Sequence, residues 1–281
     1  MTVSSSPSHD YTHASLWQLI AVFVLALLLL LALRWQPEAW LRGQITTTAA
    51  PYGITLDYQQ LQTDGLAIRL HDVRISGGRL PMPLLFDTVR LAPSWMSLLQ
   101  LKPAAHLYLN WQDIAASATV LQHNQFVELA DIEVAGSVAA LPAMLKLPVP
   151  VQLGGELLVS GEIHLDGVSG RPLSGVLNGR WQQATAGLGG SPDPLGDYSV
   201  SLNNDDPTKA WQWQLAGGAG VMLQGHGTLI TQSGLPQQWI INGQLSVSGG
   251  QSIPHSLKAM LAKPMNFDLS GALATLRLQP R

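Results

Sequence analysis

Fifteen consecutive apolar residues, Leu19 to Leu33, constrain this chain more than any other feature of its sequence. They lie within residues 16–35, LWQLIAVFVLALLLLLALRW. Twenty helical residues span about 30 Å, the thickness of a bilayer's hydrocarbon core. A helix on a soluble domain shows polar residues every third or fourth position, and this run shows none. Trp17 and Trp35 fall where tryptophans sit in the membrane interface, and Arg34 reaches toward the headgroups. The segment therefore predicts one transmembrane helix over 16–35, anchored by Trp17, Arg34 and Trp35, behind a short tail over 1–15. The first partner it implies is the lipid bilayer. A cleaved signal peptide needs a basic start and small residues at the cut. The first 15 residues hold no Lys or Arg, and the run ends in Arg34-Trp35, so the anchor is read as uncleaved.

Two arguments about orientation pull in opposite directions. Arg34 and Arg42 lie on the C-terminal side of the run and no Lys or Arg on the other. Taken alone, that count favours a cytoplasmic body. Long domains, however, translocate with little regard to charge. The body is rich in Gly, Gln, Asn, Ser and β-branched residues, and the chain has no cysteine. That composition suits a periplasmic β protein, which is the expectation adopted.

Past a juxtamembrane linker over 36–53, the pattern turns to period two. ITLDYQQ (54–60), LAIRL (66–70), FDTVRL (86–91), HLYLN (106–110) and FVELADIEV (126–134) alternate apolar and polar residues as half-buried strands do. The alternation slips at His71-Asp72, which predicts a bulge. PSWMSLLQL (93–101), VAALPAMLKL (138–147) and PHSLKAMLAK (254–263) read as short helices. Proline-rich LPVPV (147–151) divides an N-terminal β region, 54–146, from a C-terminal one, 147–281. Gly-Gly pairs at 154–155, 189–190, 217–218 and 249–250 suit a succession of hairpins. SPDPLGDY (191–198) and NNDDPT (203–208) carry turn chemistry, and MNFDLSGALATLRL (265–278) reads as a closing strand. The expected fold class is mainly β: one N-terminal transmembrane helix followed by an antiparallel β-meander, whether curved sheet, groove or sandwich, with two or three short helices.

The stretch WQWQLAGGAGVMLQGHGTL (211–229) tests for chemistry. A dinucleotide fingerprint needs G-x-G-x-x-G opening a helix after a strand. Here Gly218-Ala-Gly220 runs into Val221-Met222-Leu223, a strand pattern, so the glycines read as a hairpin turn. His226 has no partner at metal-ligand spacing. His164 and Asp166 share one strand face and are the one pair placed to hold a metal, yet a solvated polar face explains them. Glu128, Asp131 and Glu133 likewise read as a solvated strand. There is no G-x-S-x-G, no S-x-x-K and no Walker lysine. No catalytic residue, cofactor-binding residue or metal ligand is assigned, and the expectation is a protein that is not an enzyme and carries no cofactor. A net charge of −3 offers no footprint for nucleic acid.

The C-terminal half resembles the type II secretion system protein N (GspN) family. The resemblance rests on VQLGGELLVSGEIHLDG (151–167) as a strand pair, then LSGVLNGRWQQATAG (173–187) with Gly179 and Trp181. LGDYSVSL (195–202), LAGGAGVMLQGHGTLI (215–230) and QQWIINGQLSVSGG (237–250) follow in order. It implies an inner-membrane protein with a periplasmic domain, serving a machine that exports folded proteins, with other secretion subunits as partners. The N-terminal stretches YGITLDYQQLQTDGLAIRLHDVRIS (52–76) and FDTVRLAPSWMSLLQL (86–101) look like AsmA-type envelope proteins, whose β-rich body is thought to form a groove for lipid. The candidate contact residues are the tryptophans of the C-terminal strands: Trp181, Trp211, Trp213 and Trp239. Each is weighed against a place in the core.

Overall fold

The computed structural model describes residues 43, 54–65, 67–77, 83–94, 97, 104–140, 151–188, 192–232, 238–253, 258–259 and 261–281. All but Gly43 belong to a unit spanning Ala49–Arg281; Gly43 belongs to a second unit, Met1–Thr48. The predicted anchor with Trp17, Arg34 and Trp35, the tail over 1–15 and the linker over 36–53 apart from Gly43 lie outside the described residues. Among the described residues, no helix is long and apolar enough to cross a membrane.

The body is one antiparallel sheet of 15 strands, in which the first two strands both pair with the third and every later strand pairs with the next along the chain. The first seven strands are β1 (Ile54–Asp57), β2 (Gln60–Asp64), β3 (Ala67–Gly77), β4 (Leu84–Pro93), β5 (Ala104–Trp111), β6 (Ile114–Gln122) and β7 (Phe126–Ser137). The rest are β8 (Val151–Asp166), β9 (Pro172–Leu188), β10 (Asp193–Asn204), β11 (Trp211–Gly217), β12 (Val221–Ile230), β13 (Ile240–Gly249), β14 (Met265–Ala272) and β15 (Arg277–Pro280). The mainly β meander expected from the alternation is thus present, as a single sheet and not as two packed sheets. β7 pairs with β8 from Phe126↔Asp166 to Ser137↔Glu156, so the sheet runs on between the two β regions.

Several local readings are corrected. Residues 151–167, expected as a strand pair, form the one long strand β8. Its Gly154-Gly155 stays within the strand, with Gly155 opposite a bulge in β9 at Gln183-Ala184, where Gln183 has φ +50°. Asp193–Tyr198, expected as a turn, belongs to β10, because two register shifts around Pro194 and Gly196 absorb the Pro and Gly within the ladder. The closing strand breaks into β14 and β15 at a 3-10 turn over Leu273–Thr275 that follows Gly271, whose φ is +120°. Of the expected short helices, 138–147 starts as the 3-10 turn Val138–Ala140, with the remainder outside the described residues. In 254–263 the described Lys258, Ala259 and Leu261 are turns, and 93–101 is described mainly at Pro93 and Ser94, outside any helix, and at Ser97, which is helical. β6 was missed by the alternation because IAASATVLQ carries small residues on both faces.

At His71-Asp72, where a bulge is expected, the ladder is interrupted without a change of register: Asp72 has φ +50° and is skipped, while His71↔Thr88 and Val73↔Phe86 on either side keep one register, so no extra residue is inserted. β1 and β2 are two pieces of one edge, both paired with β3 and separated at Tyr58-Gln59 opposite this interruption.

The best-packed part of the sheet is built from aromatic rings laid over glycines. Trp213 pairs with Gly227, which pairs with Gly243, which pairs with Leu269. A Cβ on Gly225 would stand 2.9 Å from the Trp213 ring carbon Cζ3, and one on Gly227 2.8 Å from its Nε1. A Cβ on Gly243 would overlap Cζ2. None of these three glycines has a positive φ, so what they supply is space. The indole N–H of Trp213 donates to Asn242 O at 3.3 Å. Trp211, Trp213, Leu229 and Leu269 form the buried cluster, with Ile163 of β8 packed against it. Each buried tryptophan contributes on the order of 4–6 kcal/mol of apolar burial as an upper bound.

Candidate functional site

Alternation gives the sheet two faces of opposite chemistry. In β11, Trp211, Trp213 and Leu215 point to one face while Gln212, Gln214 and Ala216 are exposed on the other. Following the register, Leu109, Val134, Val159 and Leu177 share the apolar face, and all are half-buried. Leu91 and Val200 on that face are 39% and 45% exposed. Among the described residues only twelve hydrophobic side chains are buried, which is few for a body of this length. Among the described residues, the single layer of sheet leaves part of its apolar face exposed.

The four tryptophans fall in two classes. Trp211 and Trp213 are 1% and 8% exposed and form the centre of the cluster, with Trp239 packed half-buried against it. Their rings are used to hold neighbouring strands together. Trp181 is half-buried. Its N–H donates to Gly154 O at 3.0 Å, and its ring lies 5.6 Å from that of Tyr198. Tyr198 O–H in turn donates to Val221 O at 2.7 Å, and burial pushes its phenol up from the ordinary tyrosine range. A shared packing role for Trp181 and Tyr198 follows directly from this geometry.

The candidate ionisable groups are dispersed. His164 Nδ1 sits 3.0 Å from Ser174 Oγ. Asp166 Oδ1 accepts the Ser169 N–H and O–H, both at 2.7 Å. Those bonds hold the Asp166 carboxyl below the usual carboxylate range. The pair caps separate structures and shares no site. Glu128 meets His123 at 3.0 Å, Asp131 lies at a bulge with φ +50°, and Glu133 is exposed. His226 is exposed beside an open basin of about 630 Å³ lined by Gln214, Gln224 and Gln244. Asp268 in that basin is occupied by Arg281 at 3.6 Å. Among the described residues no group of three or more His, Asp or Glu is placed to hold a metal. The turn at 203–208 is a closed unit: Asp206 accepts from Thr208 N–H and O–H at 2.9 and 2.7 Å, which lowers its pKa.

One concentration of charge was not legible in the sequence. On the polar face of β3–β7 an open basin of about 650 Å³ is lined by Arg69, His71, Arg90, Tyr108 and Glu133, among others. Arg69 is paired directly across the ladder with Arg90. The signal was present only as polar positions in LAIRL and FDTVRL. Aligning them needs the register of the β3–β4 ladder, which belongs to two strands together.

Comparison of the chain with family models, with curated proteins and with solved structures finds no match in any of the three.

Proposed function

We propose that this chain is a single-pass inner-membrane component of the type II protein secretion machinery, acting as an interaction and assembly subunit through a periplasmic β body. The carrying observation is the one-layer sheet whose apolar face the described residues cover only in part. Exposed apolar surface of that kind marks a place of contact. The transmembrane reading of 16–35 and the motif order over 151–250 supply the membrane and secretion parts of the proposal. The test is crosslinking of the full-length protein in native membranes, followed by identification of captured secretion subunits, together with export in a deletion strain. Recovery of secretion subunits and impaired export are expected. Recovery of none, with normal export, rejects the proposal.

The same uncovered face favours a second reading, an AsmA-like envelope protein that holds lipid in an apolar groove. Here the expected result is lipid retained by the full-length protein through purification, in amounts stoichiometric with it. The readout is mass spectrometry of the extracted lipid. Protein free of lipid, with native export defects on deletion, leaves the secretion reading alone.

A further inference from the structure

We infer that the basin on the polar face of β3–β7 is a binding site for a phosphate group carrying an ammonium, the chemistry of phosphoethanolamine. The inference rests on the charges of this basin and is independent of the secretion reading, since it concerns the face opposite the uncovered apolar one.

Arg69 and Arg90 are directly opposed on neighbouring strands, with Cβ atoms about 5 Å apart. Like charges so placed destabilise a sheet. Neither guanidinium has an acidic partner among the described residues; the described ion pairs are His123–Glu128, Lys209–Asp206 and Arg281–Asp268. Arg90 lies over the ring of Tyr108 with Cζ 5.7 Å from its centroid, which aims it across β5 into the basin. Its Nε and the Nε2 of His71 are shielded from solvent with no hydrogen-bond partner. His71 is one pleat along from Arg69 on the same strand face. Two unneutralised guanidiniums and an imidazole, with buried unpaired ring and guanidinium nitrogens, form a cradle for a tetrahedral oxyanion. Arginine's planar fork suits phosphate.

Glu133 closes the other side of the same basin. It stands in one cross-strand row with Arg69, Arg90, Tyr108 and Ser117. Three strand spacings separate it from Arg90, on the order of 14 Å between backbones. Both side chains reach inward over that gap, so the distance between charges is shorter. Glu133 has no described ion-pair partner either. A lone anion would meet repulsion there, whereas a ligand with phosphate at one end and ammonium at the other meets complementary charge at both.

The test uses the full-length protein in maltoside detergent at constant ionic strength. Thermal unfolding is followed against inorganic phosphate, phosphoethanolamine and chloride. Phosphoethanolamine raises the melting temperature at lower concentration than inorganic phosphate, because a ligand bound only by the folded state stabilises it by mass action. Arg90→Gln weakens both probes by about tenfold or more. Glu133→Gln abolishes the preference for phosphoethanolamine and leaves phosphate binding intact. Without ligand, Arg69→Gln raises the melting temperature, since it removes the opposed charge, while weakening both probes. This opposition of stability and affinity is not expected of a purely structural arginine, and Arg90→Lys, which keeps the charge, retains part of the binding. Lipid extraction distinguishes the sources. Phosphatidylethanolamine retained by the wild type and lost from the Arg69→Gln/Arg90→Gln double variant assigns the ligand to membrane lipid. Binding of free phosphoethanolamine without retained lipid assigns it to a soluble molecule. Equal affinity for the two probes, or probe binding indifferent to both arginines, overturns the inference.

Discussion

If the glycines at 225, 227 and 243 serve as a bed for Trp213, then the cost of filling one of them must depend on that ring. Gly225 gives the cleanest case. Its φ is not positive, so alanine suits the backbone. A Cβ there first meets Trp213 Cζ3 at 2.9 Å, then Gln244 O at 3.1 Å and Leu245 Cδ1 at 3.2 Å. Ordinary contact begins near 3.4 Å, so the ring must shift by about half an ångström, from a site where it is 8% exposed. Overpacking of this kind costs about 1–3 kcal/mol. Trp213→Ala alone costs about 3–5 kcal/mol. In the Trp213→Ala background the ring is gone, and Gly225→Ala falls to a cost near zero or to a small gain, because alanine loses less backbone entropy than glycine in a strand. The double-mutant cycle therefore gives a coupling of about 1–3 kcal/mol. Urea unfolding followed by far-UV circular dichroism measures all four proteins, with the slope checked for constancy. Additivity within about 0.5 kcal/mol refutes the bed argument.

Three further outcomes follow from the same geometry. Gly155→Ala destabilises by about 2 kcal/mol or more: φ is +103°, and a Cβ would run into backbone carbonyls of β9 and stand 2.9 Å from Trp181 Nε1; an unchanged urea midpoint contradicts this. Trp211→Phe costs less than Trp213→Phe, because the buried Trp211 N–H has no partner while that of Trp213 reaches Asn242 O; the reverse order of unfolding midpoints counts against it. For Asp166 and Asp206 the folded pKa is lowered by the donors of Ser169 and Thr208. Their stabilisation is therefore complete above the unfolded carboxylate pKa and is lost as pH falls through the lower folded values. Carboxyl-carbon NMR titration reads them directly, and values at or above the ordinary aspartate range reject the hydrogen-bond account. Tyr198 has the opposite sign: its phenol is raised by burial, so its contribution is complete below the unfolded tyrosine pKa and fades as pH rises through the folded one.

The sequence by itself determined the local alternation. Side chains in a strand have period two whatever lies beside them, so WQWQL, HLYLN and FVELADIEV announced strands. The Gly217-Gly218 turn was equally legible, because its positive φ values, +131° and +97°, are a local demand that glycine meets. The irregularity at Asp72, a positive φ of +50°, showed in the broken phase, although the ladder keeps its register across it. What only the tertiary structure decided is what faces what across the ladder. Gly154-Gly155 looks like Gly217-Gly218 in sequence, yet it lies inside a long strand, opposite a bulge that the neighbouring strand makes at Gln183-Ala184. Gly225-His226-Gly227 looks like a site, yet its glycines clear room for a ring twelve to fourteen residues earlier. Arg69 and Arg90 are each an ordinary polar position on a strand. Register makes them face one another, and register depends on bulges and connections summed over many residues. Period is a property of one strand, whereas a basin, a ring bed or a charge pair belongs to several, so the first can be read along the chain and the others only across it.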